Sequence, residues 1–198
     1  RTKILDSLAK MRWRVRDLRI SPEIIQQLIE AELSEHQFFN QCLREIRPFE
    51  GIAILTEAIA NVHHQILERL FKLLAFIYDS KIMLTVFHNL SGQEKRVQAN
   101  AIEILDNLLK GDLKEKVMEA LVQVAAEEKV RSKSVEHLFD TLAELFKKEN
   151  DWIKMAIEFV SMAPKVAELD ENRCFALKKV IQETKVDYDR KELVNVIQ

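Results

Sequence analysis

His63 and His64 are the residues of this sequence best suited to metal chemistry. His64 and three other polar residues recur at steps of three and four, so they would share one face of a helix: Glu57, Asn61, His64 and Glu68. Di-metal carboxylate bundles place a glutamate three residues before each ligating histidine. Here Asn61 precedes His64 at that distance, and Leu33 precedes His36. The spacing therefore disfavours a metal site.

Nucleophilic catalysis would have to start from one of two cysteines. Cys42 follows Phe38 and Phe39 in a helical pattern, without a glycine to expose it or a nearby histidine to activate it. Cys42 and Cys174 lie far apart, and neither has a second thiol at metal or redox spacing, so we expect two buried thiols in a reducing compartment. With three glycines in the chain, no phosphate loop, dinucleotide fingerprint or nucleophile elbow occurs. We expect no enzyme activity and no cofactor.

The first nineteen residues form a basic segment, with seven basic and two acidic side chains and a local charge of +5. Near Trp13, four arginines could contact anionic lipid headgroups or a phosphate-bearing ligand: Arg12, Arg14, Arg16 and Arg19. Around a helix these charges would point in different directions, whereas phosphate binding needs them on one face. A solvated basic segment is therefore the favoured interpretation.

A repeated helix pattern carries another candidate surface. Residues 91–109 and 149–160 each have a polar turn, a basic residue beside a β-branched one, and then alanine and an apolar stripe. This pattern is typical of the inner helix of a HEAT-type repeat. In the first helix, polar residues four, three and four apart form a strip: Arg96, Asn100, Glu103 and Asn107. Inner helices line the concave face of a solenoid, where partners are held.

The favoured alternative for this strip is a solvated helix face with side-chain bonds between neighbouring repeats. Trp152 and Lys154 begin the equivalent later helix and extend the candidate protein-binding surface. We expect Trp152 to be an anchor in the core or between repeats rather than a binding hot spot. Four apolar residues beside the strip are expected to be buried: Val97, Ala101, Ile104 and Leu108.

Only helices are expected to position these residues. Three glycines and three prolines are few for 198 residues, and no stretch alternates with period two. Ser21-Pro22-Glu23 predicts a helix start, with the serine accepting from free amides, and a helix to about Ile46. Pro48 and Gly51 break the chain, and Gly111 is expected to cap a helix. The remaining predicted helices span residues 4–18, 52–77, 81–90, 97–108, 113–126, 135–145, 152–163, 171–183 and 189–197.

Charge and hydropathy exclude some classes of partner. The net charge of −2 provides no overall field for nucleic acid or an anionic membrane. The longest uncharged run, residues 82–93, is shorter than the roughly twenty apolar residues of a membrane span. Because the chain opens on Arg1 rather than methionine, we expect a segment of a longer protein.

Three strings of this sequence resemble the HEAT-repeat regions of bacterial multidomain proteins: LFKLLAFIYD, RVQANAIEILDNLL and NDWIKMA, at residues 70–79, 96–109 and 150–156. In that family the repeats accompany an ADP/ATP-translocase-like transporter domain of the major facilitator type, sometimes with a cyclic-nucleotide-binding domain. The likeness extends back through residues 16–33 and covers most of the chain to residue 163. It implies a cytoplasmic module, at the cytoplasmic face of a membrane, that acts through contacts rather than chemistry.

The sequence therefore predicts an all-α protein, a HEAT-like α-solenoid of antiparallel helix pairs. The array should be irregular, because Arg96 and Lys154 are 58 residues apart and the usual period is about 40 to 47. Residues 1–79 would form a less regular N-terminal segment acting as a cap, residues 80–163 the repeats, and residues 164–198 the helices that complete the solenoid. Residues 164–198 resemble no family.

The predicted function is non-catalytic protein or domain interaction and regulation. The expected partner is another domain of the same polypeptide, such as a transporter or nucleotide-sensing domain, or a separate protein. One alternative is a free-standing HEAT-repeat scaffold. The other is an enzyme on a helical-repeat scaffold, such as a base-excision glycosylase or a pigment lyase, which would need a basic or ligand-sized groove.

Overall fold

The described part of the chain is made of helices, several of them joined by connections of only a few residues. The computed structural model describes residues 2–14, 20–92, 94–125, 134–148 and 150–197. Over these residues the regular elements are α1 (Thr2–Arg14), α2 (Pro22–Ile46), α3 (Ala53–Ile77), α4 (Ser80–Ser91), α5 (Lys95–Leu108), α6 (Gly111–Ala125), α7 (Val135–Phe146), α8 (Asp151–Met162), α9 (Pro164–Ala167) and α10 (Glu171–Ile197). No strand occurs among the described residues. The all-α prediction is confirmed.

The chain forms two compact units, and each is made of two pieces. Unit 1 contains residues 1–40 and 62–128, and unit 2 contains residues 41–61 and 129–198. The long helices α2 and α3 therefore each supply residues to both units. The predicted segments 1–79, 80–163 and 164–198 stay a prediction.

Unit 1 is built around one apolar cluster. Within it α4 packs against α5, and α5 packs against α6. The buried side chains come from all of its helices and follow the three- and four-residue steps of helical faces: Leu5, Ile25, Ile29, Leu33, Leu70, Phe71, Leu73, Leu74, Met83, Val86, Ala101, Leu105, Leu109, Val117, Ala120 and Leu121.

In unit 2, α7, α8 and α10 pack against one another. The buried carboxylate of Glu45 accepts hydrogen bonds from Thr141 Oγ1 at 2.7 Å and Gln41 Nε2 at 2.9 Å, and His137 Nε2 lies 3.1 Å away. Both cysteines are buried and unpaired, as predicted. Burial raises the pKa of the Cys42 thiol to about 12, and Glu45 adds to the shift. Cys42 is therefore a poor nucleophile.

Most predicted helix boundaries agree with the structure. Helix α2 spans the predicted range, although the Ser21 hydroxyl donates to the Glu23 carboxylate rather than accepting from amides. The break after α2 contains Gly51 at φ +83°, a conformation that favours glycine. Asp79 caps α4 by accepting from the amides of Lys81 and Ile82.

Two boundary predictions are wrong. Leu109, rather than Gly111, follows α5 as its C-cap, and Gly111 is the first residue of α6. The two helices predicted near the C-terminus are a single helix, α10. The segment between them contains no glycine or proline to break it. Within the part of the chain described, no helix is both long and apolar enough to cross a membrane.

Candidate functional site

Helix α8 has the most unusual surface of the described helices. The Asn150 side chain accepts from the Ile153 amide at 3.1 Å and starts the helix, which ends just before Ala163. One side of α8 is packed into unit 2 through Ile153, Ala156, Ile157, Val160 and Ser161. Because this side is buried, the opposite side of the same helix is left to solvent.

That opposite side is apolar rather than polar. It presents Trp152, Met155, Phe159 and Met162, whose exposed fractions are 74%, 62%, 62% and 72%. Their spacing of three, four and three residues places them on one helical face, which we call the α8 apolar face. A surface helix normally carries charged and polar residues on its solvent side. The α8 apolar face departs from that pattern.

The exposed apolar area of this face indicates whether it is large enough to be a binding surface. Large aromatic side chains offer about 150–250 Å² each, so the exposed fractions of Trp152 and Phe159 alone amount to roughly 200–340 Å², to which Met155 and Met162 add. The largest apolar patch on a typical monomer is about 300–600 Å² and is often functional. The two aromatic side chains of the α8 apolar face thus supply about a third of the roughly 800 Å² that each partner buries in a standard interface, before the methionines are counted.

Charged groups border one edge of the α8 apolar face. Asp151 is exposed and Glu158 is partly buried, and their seven-residue spacing puts them along the same edge. Lys154 is partly buried, and its Nζ atom lies 6.0 Å from the centroid of the Phe146 ring. Ala163 adds a small side chain on the other edge. An apolar centre with a charged rim is the usual composition of a protein interface.

A further exposed aromatic residue lies near the end of α8. The Cys174 thiol of α10 donates to the carbonyl oxygen of Ser161 at 3.2 Å. Phe175 directly follows Cys174 and is 72% exposed, while Met162 directly follows Ser161. Phe175 is therefore an exposed aromatic residue on the helix that contacts the C-terminal end of α8.

The structure corrects the expectation for Trp152. It is not an anchor in the core, because Ile153 occupies the inward position with no exposed surface and Trp152 points about 100° away from it. The other predicted residue of this helix, Lys154, leans toward Phe146 instead of extending into solvent.

The predicted polar strip lies on α5, in unit 1. Arg96, Asn100, Glu103 and Asn107 are all exposed. No hydrogen bond or ion pair joins these four side chains to other residues in the part that the structure describes. The buried residues of α5 are Ala101 and Leu105, whereas Ile104 is 41% exposed and Val97 and Leu108 are only partly buried. The expectation that Ile104 is buried is therefore wrong.

The predicted anionic-surface contact falls largely outside the described residues. Arg16 and Arg19 are not described, and Arg12 and Arg14 belong to the last turn of α1 with side chains that are not described. The contact stays a prediction.

The face considered for a metal is mostly exposed. Glu57, Asn61 and His64 lie on the solvent side of α3, and Glu68 pairs with Lys72 at 2.7 Å. Among the described residues, no group of three histidine, cysteine or acidic side chains could hold a metal ion.

Sequence reasoning missed a buried polar cluster between α2 and α3. Glu32 accepts from two nitrogens of Arg69, and His36 stacks on His63 with ring centroids 4.1 Å apart. One signal could have found them: Glu32 and His36 continue the buried register of α2 set by Ile25, Ile29 and Leu33. Polar residues at such positions must be paired or neutral.

Unit 1 also has an open depression of about 250 Å³ lined by Glu30, Leu33, Ser34, Gln37 and Lys116. Small-molecule sites usually enclose about 300–1,000 Å³. Lys116 is also held by carboxylates, at 2.8 Å from Glu30 and 2.7 Å from Asp112. This depression is therefore an ion-paired part of the surface rather than an enclosed ligand site.

Comparisons with protein-family models, with curated proteins and with solved structures found no match to this chain.

Proposed function

We propose that this chain is a non-catalytic interaction module that binds another protein or domain through the α8 apolar face. The single observation behind this proposal is the row Trp152, Met155, Phe159 and Met162, which is left in solvent on a helix whose other side is fully packed. Exposing this surface costs free energy, and a partner that covers it recovers that free energy.

The composition of the face also favours a protein partner. Tryptophan is among the residues most enriched at binding hot spots, and methionine adapts its shape to irregular apolar surfaces. A heptad-like row at steps of three and four matches the apolar row of a second helix. The partner would therefore present an amphipathic helix or an apolar groove.

The resemblance to the HEAT regions of translocase-like proteins supplies the expected partner and setting. In this proposal the helices form an irregular HEAT-like array at the cytoplasmic face of a membrane, and α8 contacts a transporter domain of the same polypeptide or of a separate protein. The four arginines predicted for an anionic surface, Arg12, Arg14, Arg16 and Arg19, would face the membrane beside this contact.

Co-purification with a translocase-like transporter domain tests the proposal. The chain is co-expressed with a tagged transporter domain, as wild type and as the double variant Met155→Ser and Phe159→Ser. We expect the double variant to reduce recovery by at least tenfold, since both side chains are exposed and their loss leaves the packed side of α8 intact.

The matched control is the double variant Asn100→Ser and Glu103→Ser on α5, which should reduce recovery less than twofold. Absence of association with the wild-type chain would contradict the proposed partner. Equal recovery of the wild type and the α8 variant would contradict the proposed site.

A further inference from the structure

Two histidines stack on one another in unit 1, a fully buried His36 and a partly buried His63. His36 on α2 has no exposed surface, and its ring lies 4.1 Å from that of His63 on α3, with the planes inclined by 36°. Within the described residues, neither nitrogen of His36 has a hydrogen-bond partner, and Nε2 of His63 has none. The Nδ2 atom of Asn40, one turn after His36, also lacks a hydrogen-bond partner among the described residues.

The nearest carboxylates on α2 are held by an arginine. Glu32, one turn before His36, accepts from Arg69 Nε at 2.9 Å and from Arg69 Nη2 at 2.8 Å. Glu35 lies 3.6 Å from the same Nη2 atom. Arg69 thus holds the buried Glu32 carboxylate in a bidentate pair, and among the described residues no hydrogen bond joins that carboxylate to His36.

Charged groups from two other helices of unit 1 are paired with residues of α2 or α3 other than the histidines. Two ion pairs reach these helices in the part described: Asp6 of α1 with Lys72 at 2.5 Å, and Lys116 of α6 with Glu30 at 2.8 Å. From α4, the uncharged Phe87 ring lies 5.5 Å from His64. His64 itself is the neighbouring titratable group on α3.

These surroundings oppose protonation of the pair. Burial, with the neighbouring His63 as a second cause, lowers the pKa of His36 to about 3. Burial also lowers the pKa of His63, with His64 as the second cause. In an unfolded chain both rings titrate near pH 6.5. A ring that is neutral when folded and charged when unfolded makes the folded state lose stability as the pH falls below 6.5.

We propose that the His36–His63 pair is an acid-sensitive contact that holds α2 and α3 together when neutral and opens unit 1 when it takes up protons. In the described part of the chain, neither nitrogen of His36 has an acceptor, nor has Nε2 of His63, and a second proton adds a like charge on the facing ring. A charged His36 ring, which is fully buried, therefore reaches water only if α2 and α3 separate around it. The contact does not depend on the binding role of α8, which belongs to unit 2.

Urea unfolding at about pH 7.5 and about pH 5.5 tests the proposal. In the wild type, His36 alone should raise the unfolding equilibrium constant about tenfold over this interval, and His63 should add to it. The window lies above the usual pKa range of carboxylates, so acid unfolding through aspartate and glutamate contributes little.

The variant His36→Phe keeps a ring of similar size without a titrating group, and it should lose that tenfold pH dependence. The control is His88→Gln on α4, because His88 is exposed, and it should keep the wild-type dependence. An unchanged dependence in His36→Phe would overturn the proposal.

An NMR titration of the wild-type imidazole rings gives a second measurement that does not require any variant to fold. His36 should stay neutral at every pH at which unit 1 is folded. Titration of the His36 ring near pH 6.5 in the folded protein would also overturn the proposal. Hydrogen exchange at about pH 5.5 should show faster opening of amides around His36 than of those in α8.

Discussion

Helices α5 and α8 start with the same local sequence pattern, yet they present different surfaces to solvent. Each helix buries one side that is made of apolar residues: Ala101 and Leu105 are buried in α5, and Ile153 and Ile157 are buried in α8. On α5 the opposite side is polar, whereas on α8 it is the apolar face. The shared pattern therefore defines how a helix packs, and the solvent side carries the information about binding.

The largest expected effect is a loss of unfolding free energy when a core residue of α5 or α8 is shortened, and it compares the packed sides of the two helices. Leu105 and Ile157 both have no exposed surface. Leu105→Ala and Ile157→Ala should each lower the free energy of unfolding by about 2–5 kcal/mol, because each leaves a cavity in a packed core. Chemical denaturation measures both values. A cost below about 1 kcal/mol for either variant would show that the two helices are not packed alike.

The second prediction separates the solvent sides. Trp152→Ala should weaken binding of a partner by tenfold or more, and it should change the free energy of unfolding by no more than about 0.5 kcal/mol. Titration calorimetry and denaturation measure the two quantities. Asn107→Ala on α5 is the control and should change the affinity less than twofold. A large loss of stability in Trp152→Ala would mean that the indole supports the fold instead.

The third prediction concerns the first turn of each helix. Asn150 caps α8 through its side chain, whereas Glu94, at the same position of α5, makes no side-chain cap. Asn150→Ala should therefore cost about 1 kcal/mol of unfolding free energy, and Glu94→Ala should cost close to nothing. Thermal unfolding of the two variants compares them directly, and equal losses would contradict the assignment.

The smallest expected effect comes from giving α5 the side-chain cap that α8 already has. Glu94 has extended backbone angles suited to a cap residue. Glu94→Asn should stabilise the protein by about 0.5 kcal/mol, because the shorter side chain can accept from the free amides of α5. A rise in the midpoint of denaturation would confirm it, and a fall would show that the Glu94 side chain has another role.

Local chemistry explains what could be predicted from the sequence. Asp79 and Asn150 identify helix starts because a cap residue bonds to amides two or three positions away. Pro48 and Gly51 mark the break between α2 and α3 for equally local reasons. The all-α class follows from many such signals along the chain.

Features that depend on packing between distant residues could not be predicted in this way. His36 and His63 are 27 residues apart, and only the packing of α2 on α3 brings their rings together. The sequence predicts Trp152 to be an anchor in the core or between repeats, but it is 74% exposed and the adjacent Ile153 faces the core. Because both sides of α8 are apolar, the helical pattern alone does not decide which side is buried, and tertiary contacts do.

The interleaved composition of the two units sets an order in which they can be completed on the ribosome. Unit 1 has all of its residues once residue 128 has been synthesised. Residues 41–61 are made early, but the rest of unit 2 begins only at residue 129. Since chains are synthesised from the N-terminus at about 5–20 residues per second, those early residues spend several seconds without the rest of their core. A chaperone that binds nascent chains would therefore find the apolar side chains of residues 41–61 still exposed after unit 1 is complete.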